Sequence, residues 1–94
     1  MSISTSIPAV TLRVISPLVT DRISNALRRA YEDKRHATKL VARDIGGDPR
    51  AVRAWMAAEC APSAAALIEL MSMCDELDRE VGLMVAEARE RRKK

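Results

Sequence analysis

The sequence has almost no aromatic residues: of 94 residues one is Trp, one is Tyr and none is Phe. Proteins that bind single-stranded nucleic acid by stacking bases need several aromatic side chains on one surface, so the composition argues against that mode. A β-sandwich would also lack the aromatic and β-branched residues that its core prefers. The chain is rich instead in Ala, Leu, Met, Arg and Glu, which favour helices, and we expect an all-α fold.

Metal-ligating and catalytic residue types are equally scarce. Cys60 and Cys74 have no zinc-like spacing with the single histidine, His36. The sequence has no nucleophile motif, no phosphate-binding Gly-rich loop and no carboxylate pair with an evident pocket. We therefore expect no metal, no cofactor and no enzymatic activity.

Long hydrophobic runs are also missing. No run approaches the roughly 18 apolar residues that a membrane span needs. The N-terminus lacks the basic and apolar regions of a secretory signal. We expect a cytoplasmic protein with no membrane partner.

The net charge of +3 is unevenly distributed along the chain. Residues 22–53 carry nine basic and four acidic side chains, a balance of +5, whereas residues 69–90 carry seven acidic side chains and two Arg, a balance of −5. A basic half is typical of a surface that faces phosphates, although a solvated charged surface gives the same pattern. We expect the basic face of helices 1–3 to lie opposite an acidic C-terminal helix.

The chain divides into an arm, one domain and a tail. Residues 1–19 are rich in Ser, Thr and Pro and show a weak alternation at Val10, Leu12 and Val14, so they predict a flexible, irregular or short-strand arm that pairs in a dimer or lies along the helices. Residues 20–90 predict a compact bundle of about five helices. Residues 91–94 form a basic tail.

Capping residues predict where these helices begin and end. Thr20 is predicted to cap helix 1, which ends near residues 33–35, and Gly46 to end helix 2 in a left-handed conformation. Helix 2 is predicted over 37–45, helix 3 from the Asp48-Pro49 cap, helix 4 from the Ser63 cap, and helix 5 from an Asp75 cap.

Residues 37–57 have the spacing of a helix-turn-helix. Ala42 is small enough for two helices to cross closely, Gly46 tolerates the positive φ of a tight turn, and Val52 locks the second helix onto the first. In this arrangement the N-terminal half of the second helix protrudes into the DNA major groove.

The segment ATKLVARDIGGDPRAVRAWMAAECAPSAAALIEL resembles the Cro/CI-type (Xre-like) helix-turn-helix domain of phage repressors and mobile-element regulators. Besides the A-x3-G-x5-V core, Trp55 follows Val52 by three residues and Pro62-Ser63 precedes a Leu-bearing helix. The resemblance covers about residues 20–74. It implies a lambda-repressor-like fold and a sequence-specific regulator, such as a small Cro-like repressor, that binds an inverted-repeat operator in double-stranded DNA as a homodimer.

The sequence departs from the family pattern at four positions. Gly47 replaces an apolar residue after the turn, and Asp48 replaces a Ser or Thr that would donate to phosphate. Thr38 occupies the place of a Gln that contacts the DNA backbone, and Ala58 replaces a Gly that ends the recognition helix. The carboxylate of Asp48 would repel phosphate.

The resemblance also implies roles for single residues. Arg50 and Arg53 are the candidate base readers because Arg binds guanine O6 and N7 with two hydrogen bonds. Ala51 and Ala54 would contact thymine methyls or, as small side chains, simply leave room in the groove. Trp55 belongs to the core with Ala42, Gly46 and Val52. The candidate phosphate contacts are Arg35, Thr38, Lys39 and Arg43.

Helix 5 carries a candidate dimer seam at Leu77, Val81, Met84 and Ala88, which are spaced by four, three and four residues. The same apolar stripe could instead pack on helices 1 and 4. A second function also stays open, namely a protein-interaction module that keeps this fold, such as an antiactivator or antitoxin component. RNA polymerase or another regulator is a further candidate partner.

Overall fold

The computed structural model describes residues 9–31 and 36–93, except for the side chains of residues 9–12. These residues form five α-helices and no strand, so the predicted all-α fold is confirmed for the described part. No helix within the same ranges is both long and apolar enough to cross a membrane. The helices are α1 (Ala9–Tyr31), α2 (Ala37–Ile45), α3 (Pro49–Met56), α4 (Ala64–Met73) and α5 (Asp75–Arg92).

The first helix is longer than predicted. It begins at Ala9 rather than at Thr20, so the prediction of an irregular or strand-like arm is wrong for residues 9–19. Thr20 lies inside the helix, where its hydroxyl donates to the Ser16 carbonyl oxygen at 3.0 Å. The arm at 1–8 and the predicted end of helix 1 at 33–35 lie outside the described residues.

Tertiary packing explains why this segment is helical despite its proline. Pro17 has no backbone N–H to donate within the helix. Ile15 and Val19, however, line an apolar groove of about 320 Å³ together with Val81 and Met84 of α5. Val19 also packs against the core, and contact with a neighbouring helix outweighs a weak local preference. The predicted basic tail likewise begins inside a helix, since α5 continues to Arg92.

The capping predictions hold at three of the helix ends. Gly46 has φ 68° after α2. The Asp48 carboxylate accepts the Arg50 N–H at 2.9 Å, and the Ser63 hydroxyl accepts the Ala66 N–H at 3.2 Å. Helix α5 differs by one residue, because Cys74 occupies the N-cap position and makes no side-chain bond there.

The core lies among the five helices, where the second half of α1 packs on α3 and α5, and α2 and α4 close the other sides. The largest fully buried apolar side chains are Leu27 of α1, Val41 of α2, Val52 of α3, Leu70 of α4 and Leu77 of α5. Each helix therefore contributes at least one residue that is removed from solvent. Ile23, Ala26, Ala42, Trp55 and Cys74 complete this cluster.

Helices α1 and α5 run antiparallel and are joined by ion pairs. Arg22 binds Glu80 and, further along α5, Glu87 at 2.6 Å. Arg29 lies about two turns later on α1, and its guanidinium is 3.4 Å from the carboxylate of Glu76, which precedes Glu80 on α5. The acidic helix therefore packs directly against arginines of α1, so the predicted separation of a basic face of helices 1–3 from an acidic helix 5 is wrong for α1.

Candidate nucleic-acid interface

Helices α2 and α3 are held together by a short turn and a shared buried face. The Gly47 N–H donates to the Ala42 carbonyl oxygen at 2.8 Å, which closes the end of α2. Ala42 and Val52 are 2% and 0% exposed, so the residues predicted to lie at the helix crossing are buried. Trp55 is 7% exposed and belongs to the core, as predicted.

The opposite side of α3 is basic and faces solvent. Arg50 and Arg53 are exposed and stand three residues apart, which places them on one side of a helix. Within the described residues neither forms an ion pair. Ala51, which lies between them, and Ala54, which follows Arg53, are half-buried, and Ala51 packs against the core. In the part of the chain that the structure describes, these two arginines are exposed and have no acidic partner, so they are the side chains of α3 best placed to reach a ligand.

Helix α2 adds two further exposed cations. Lys39 is exposed and, among the residues described, has no acidic partner. Arg43 is exposed and lies 3.5 Å from its chain neighbour Asp44. Thr38 is half-buried. The fourth predicted phosphate contact, Arg35, lies outside the described residues.

The arginines of α1 are differently placed. Hydrogen bonds to Glu87 and then Glu80 raise the pKa of Arg22 above its ordinary value, and the same contact lowers the pKa of Glu87. Arg29 also lies near carboxylates of α5. Arg28, which the sequence reasoning missed as a candidate, is exposed and donates to the Asn25 amide oxygen at 2.6 Å. No sequence motif distinguishes Arg28 from Arg22 and Arg29, because only the tertiary structure shows which arginines of α1 contact carboxylates of α5.

Asp48 places a negative charge beside the basic side of α3. Its carboxylate is exposed and caps the helix through the Arg50 backbone N–H. A carboxylate complements the partial positive charge of a helix N-terminus, but it repels an approaching phosphate. The site is therefore less suited to backbone phosphates than its arginines alone would make it.

The end of α3 has an unusual backbone. Ala58 adopts φ 60°, a left-handed conformation that costs a residue with a Cβ about 1–2 kcal/mol. The Glu59 N–H donates to the Ala54 carbonyl oxygen at 2.9 Å across this turn. Ala58 therefore ends α3 in a conformation that Gly adopts without steric cost.

The predicted dimer seam on α5 is partly used inside the chain. Leu77 is fully buried in the core, so the prediction that it faces a second copy is wrong. Val81 and Met84 pack against the core, and with Ala88 they line the groove beside α1. The spacing of this predicted seam was ambiguous, because a helix that packs on a neighbouring helix and one that packs on a second copy have the same spacing of apolar residues.

The described residues contain no group of three or more His, Cys, Asp or Glu side chains that could hold a metal ion. No protein-family model matches the chain, and no curated protein or solved structure matches it either. The proposal for its function therefore depends on the chemistry and placement of the residues described above.

Proposed function

We propose that the protein is a sequence-specific regulator that binds double-stranded DNA through a Cro/CI-type helix-turn-helix formed by α2 and α3, within a lambda-repressor-like fold. The observation that carries the proposal is the division of α3 into two sides. Val52 and Trp55 anchor one side in the core, while Arg50 and Arg53 leave the other side basic and free of acidic partners in the described part of the chain.

The binding mechanism follows from these placements. Helix α3 enters the major groove, where each Arg can bind guanine with two hydrogen bonds that contribute about 1–3 kcal/mol of discrimination against other bases. Lys39 and Arg43 contact phosphates and fix the register of α3 on the duplex. No cofactor is needed for this mode of binding.

Regulation would follow from occupancy of an operator. The protein binds in the cytoplasm as a homodimer to an inverted repeat, because one helix of this size reads only a half-site. It then blocks RNA polymerase, as a small repressor of phage or mobile-element type does, or contacts polymerase from an adjacent site.

The test begins with selection of bound duplexes from a random library, followed by titration of the selected and scrambled duplexes at two salt concentrations. Arg50→Ala and Arg53→Ala should lose the preference for the selected duplex. Lys39→Ala should weaken binding to both duplexes and lower the salt dependence. Arg79→Ala, which removes an arginine of α5 whose side chain is 69% exposed, is the matched control and should change neither. Equal affinity of the wild type for selected and scrambled duplexes contradicts the proposal.

A second candidate is a protein-interaction module with the same fold, such as an antiactivator or antitoxin component. The exposed Asp48 carboxylate at the start of α3 favours it, since this charge opposes phosphate binding. This candidate predicts that no duplex is enriched in the selection. It also predicts that charge changes at Arg50 and Arg53 alter binding to a protein partner instead.

A further inference from the structure

Gly82 has no explanation within the chain. It lies in the middle of α5, is exposed, and is not among the glycines with positive φ. A Cβ added to Gly82 would meet no atom within 4 Å. Glycine weakens a helix relative to alanine because it loses more backbone freedom on folding. A close approach by another molecule is the remaining structural reason for a residue without a side chain here.

Gly82 belongs to a stripe that runs along the outer side of α5. The members recur at intervals of three, four, three, four and three residues, the spacing that keeps side chains on one helix face in paired helices. All are exposed, and Val85, 46% exposed, stands next to Gly82 in the stripe. The α5 stripe consists of Asp75, Asp78, Gly82, Val85, Arg89 and Arg92.

The α5 stripe is complementary to itself when read in the opposite direction. Antiparallel alignment sets Asp75 against Arg92 and Asp78 against Arg89. It also sets Gly82 against Val85, so that the small residue receives the apolar one. A twofold axis repeats each contact, which gives four ion pairs and two Gly–Val contacts. Such an isologous contact requires each residue and its partner to exchange roles between the copies, and this stripe meets that requirement.

We propose that two copies of the protein associate through antiparallel pairing of their α5 stripes. The pairing does not depend on DNA. It deepens the proposed function in one respect, because that function needs two copies to present two α3 helices. The interface is the α5 stripe and not the predicted seam that contains the buried Leu77.

The helix dipole alone does not account for the stripe. Acidic residues in a first turn and basic residues in a last turn do stabilise any helix. The dipole does not require these charges to share one face, nor a glycine between them. The four stripe charges also take no part in the ion pairs between α1 and α5. In the described residues those pairs use Glu76, Glu80 and Glu87 instead.

Charge exchange tests the proposal directly by sedimentation equilibrium at low salt, without DNA. Asp78→Arg and Arg89→Asp each place like charges opposite one another twice, and each should raise the dimer dissociation constant at least about tenfold. An equimolar mixture of these two single variants restores both opposite-charge pairs in a heterodimer and should associate like the wild type. The double variant D78R/R89D should do the same as a homodimer. The wild-type dimer should weaken as salt rises.

Close approach is tested with two polar substitutions on the same helix. Gly82→Gln adds a long side chain to the α5 stripe and should raise the dissociation constant at least about tenfold, while circular dichroism shows the helices intact. Leu83→Gln changes an exposed apolar residue beside the stripe and should leave association unchanged.

A wild type that stays monomeric at every concentration overturns the proposal. So does a dimer that survives Asp78→Arg, which would place the interface elsewhere, for example at the groove between α1 and α5. DNA selection by a chain that stays monomeric would overturn this pairing and the homodimer of the proposed function, but not DNA binding through α3. A dimer that selects no duplex would overturn only the proposed function.

Discussion

The buried hydroxyl of Ser24 in α1 donates a hydrogen bond of 2.7 Å to the carbonyl oxygen of Met56 in the last turn of α3. Ser24 is 0% exposed and is the one buried polar side chain in the described core. The last carbonyls of a helix have no partner inside that helix, so this bond satisfies one of them. It also fixes the C-terminal end of the candidate recognition helix to α1.

Ser24→Ala should therefore lower the free energy of unfolding by about 1–3 kcal/mol, because the Met56 carbonyl loses its donor in a buried place. Urea unfolding followed by circular dichroism measures the change. Ser72→Ala is the matched control: the Ser72 hydroxyl also donates to a backbone carbonyl, that of Glu69 at 2.6 Å, but at an exposed position. The control should change stability by less than about 0.5 kcal/mol. Equal effects of the two substitutions would contradict the role assigned to Ser24.

The glycines of α2 and α5 should respond in opposite directions to the same change. Gly46 and Gly82 both have open space where a Cβ would stand, but only Gly46 has a positive φ. Gly46→Ala should lower the free energy of unfolding by about 1–2 kcal/mol because of left-handed strain. Gly82→Ala should raise it by about 0.5–1 kcal/mol through helix propensity. The measurement uses dilute monomer, so that association does not contribute, and a destabilising Gly82→Ala would show that the monomer needs this glycine.

Ala58→Gly should stabilise the protein, since the residue has φ 60° at the end of α3. Relief of the strain exceeds the extra entropy that glycine gives the unfolded chain, so we expect a gain of about 0.5–1 kcal/mol. Ala57→Gly is the control. Ala57 has φ −88°, and glycine there should be neutral or destabilising. A loss of stability in Ala58→Gly would mean that the Ala58 methyl group makes a contact worth more than the strain.

Asp48→Ser should separate the capping role of Asp48 from its charge. Serine also caps helices, so the free energy of unfolding should change by less than about 0.5 kcal/mol. Removal of the exposed carboxylate should raise the affinity for duplex DNA, and the gain should shrink at high salt. Fluorescence anisotropy with a labelled duplex measures the affinity and its dependence on salt. Asp44→Ser, which removes an acidic residue of α2, tests whether the gain is specific to the start of α3.

Acid should weaken the contact between α1 and α5. Because Arg22 lowers the pKa of Glu87 in the folded chain, this carboxylate contributes stability above its unfolded pKa of about 4.3, and the contribution is lost as the pH falls through the lowered value. Glu87→Gln should therefore reduce the fall in melting temperature between neutral pH and about pH 3. Glu90→Gln, which removes a carboxylate that pairs with Lys93 rather than with Arg22, should leave that fall unchanged. An identical pH dependence for wild type and Glu87→Gln would contradict the assignment.

Local signals predicted the middle of the chain well. Asp48 and Ser63 cap α3 and α4, and Gly46 ends α2, because a cap depends on a few neighbouring residues. The burial of Trp55 was also predictable from its register with Val52. These residues form the framework of the candidate interface, and the exposure of Arg50 and Arg53 follows from the same periodicity.

The errors concern contacts between distant parts of the chain. Pro17 and the nearby serines disfavour a helix locally, whereas the contact of α1 with α5 and the packing of Val19 against the core favour one. The pairing of Arg22 with Glu80 and Glu87 spans 58 and 65 residues, so charge counts along the sequence could not show it. For the same reason the sequence could not separate free arginines from those already engaged.

Pro17 gives α1 two parts that need not open together. The carbonyl of Arg13 lacks the N–H that residue 17 would normally supply, and the turn before Pro17 is mostly exposed, with Ile15 half-buried beside the groove on α5. The part after Pro17 carries Ile23, Ala26 and Leu27 into the core. Amide hydrogen exchange should therefore be fast before Pro17 and slow after Ile23. The missing N–H of Pro17, rather than the end of α1, sets the boundary between fast and slow exchange.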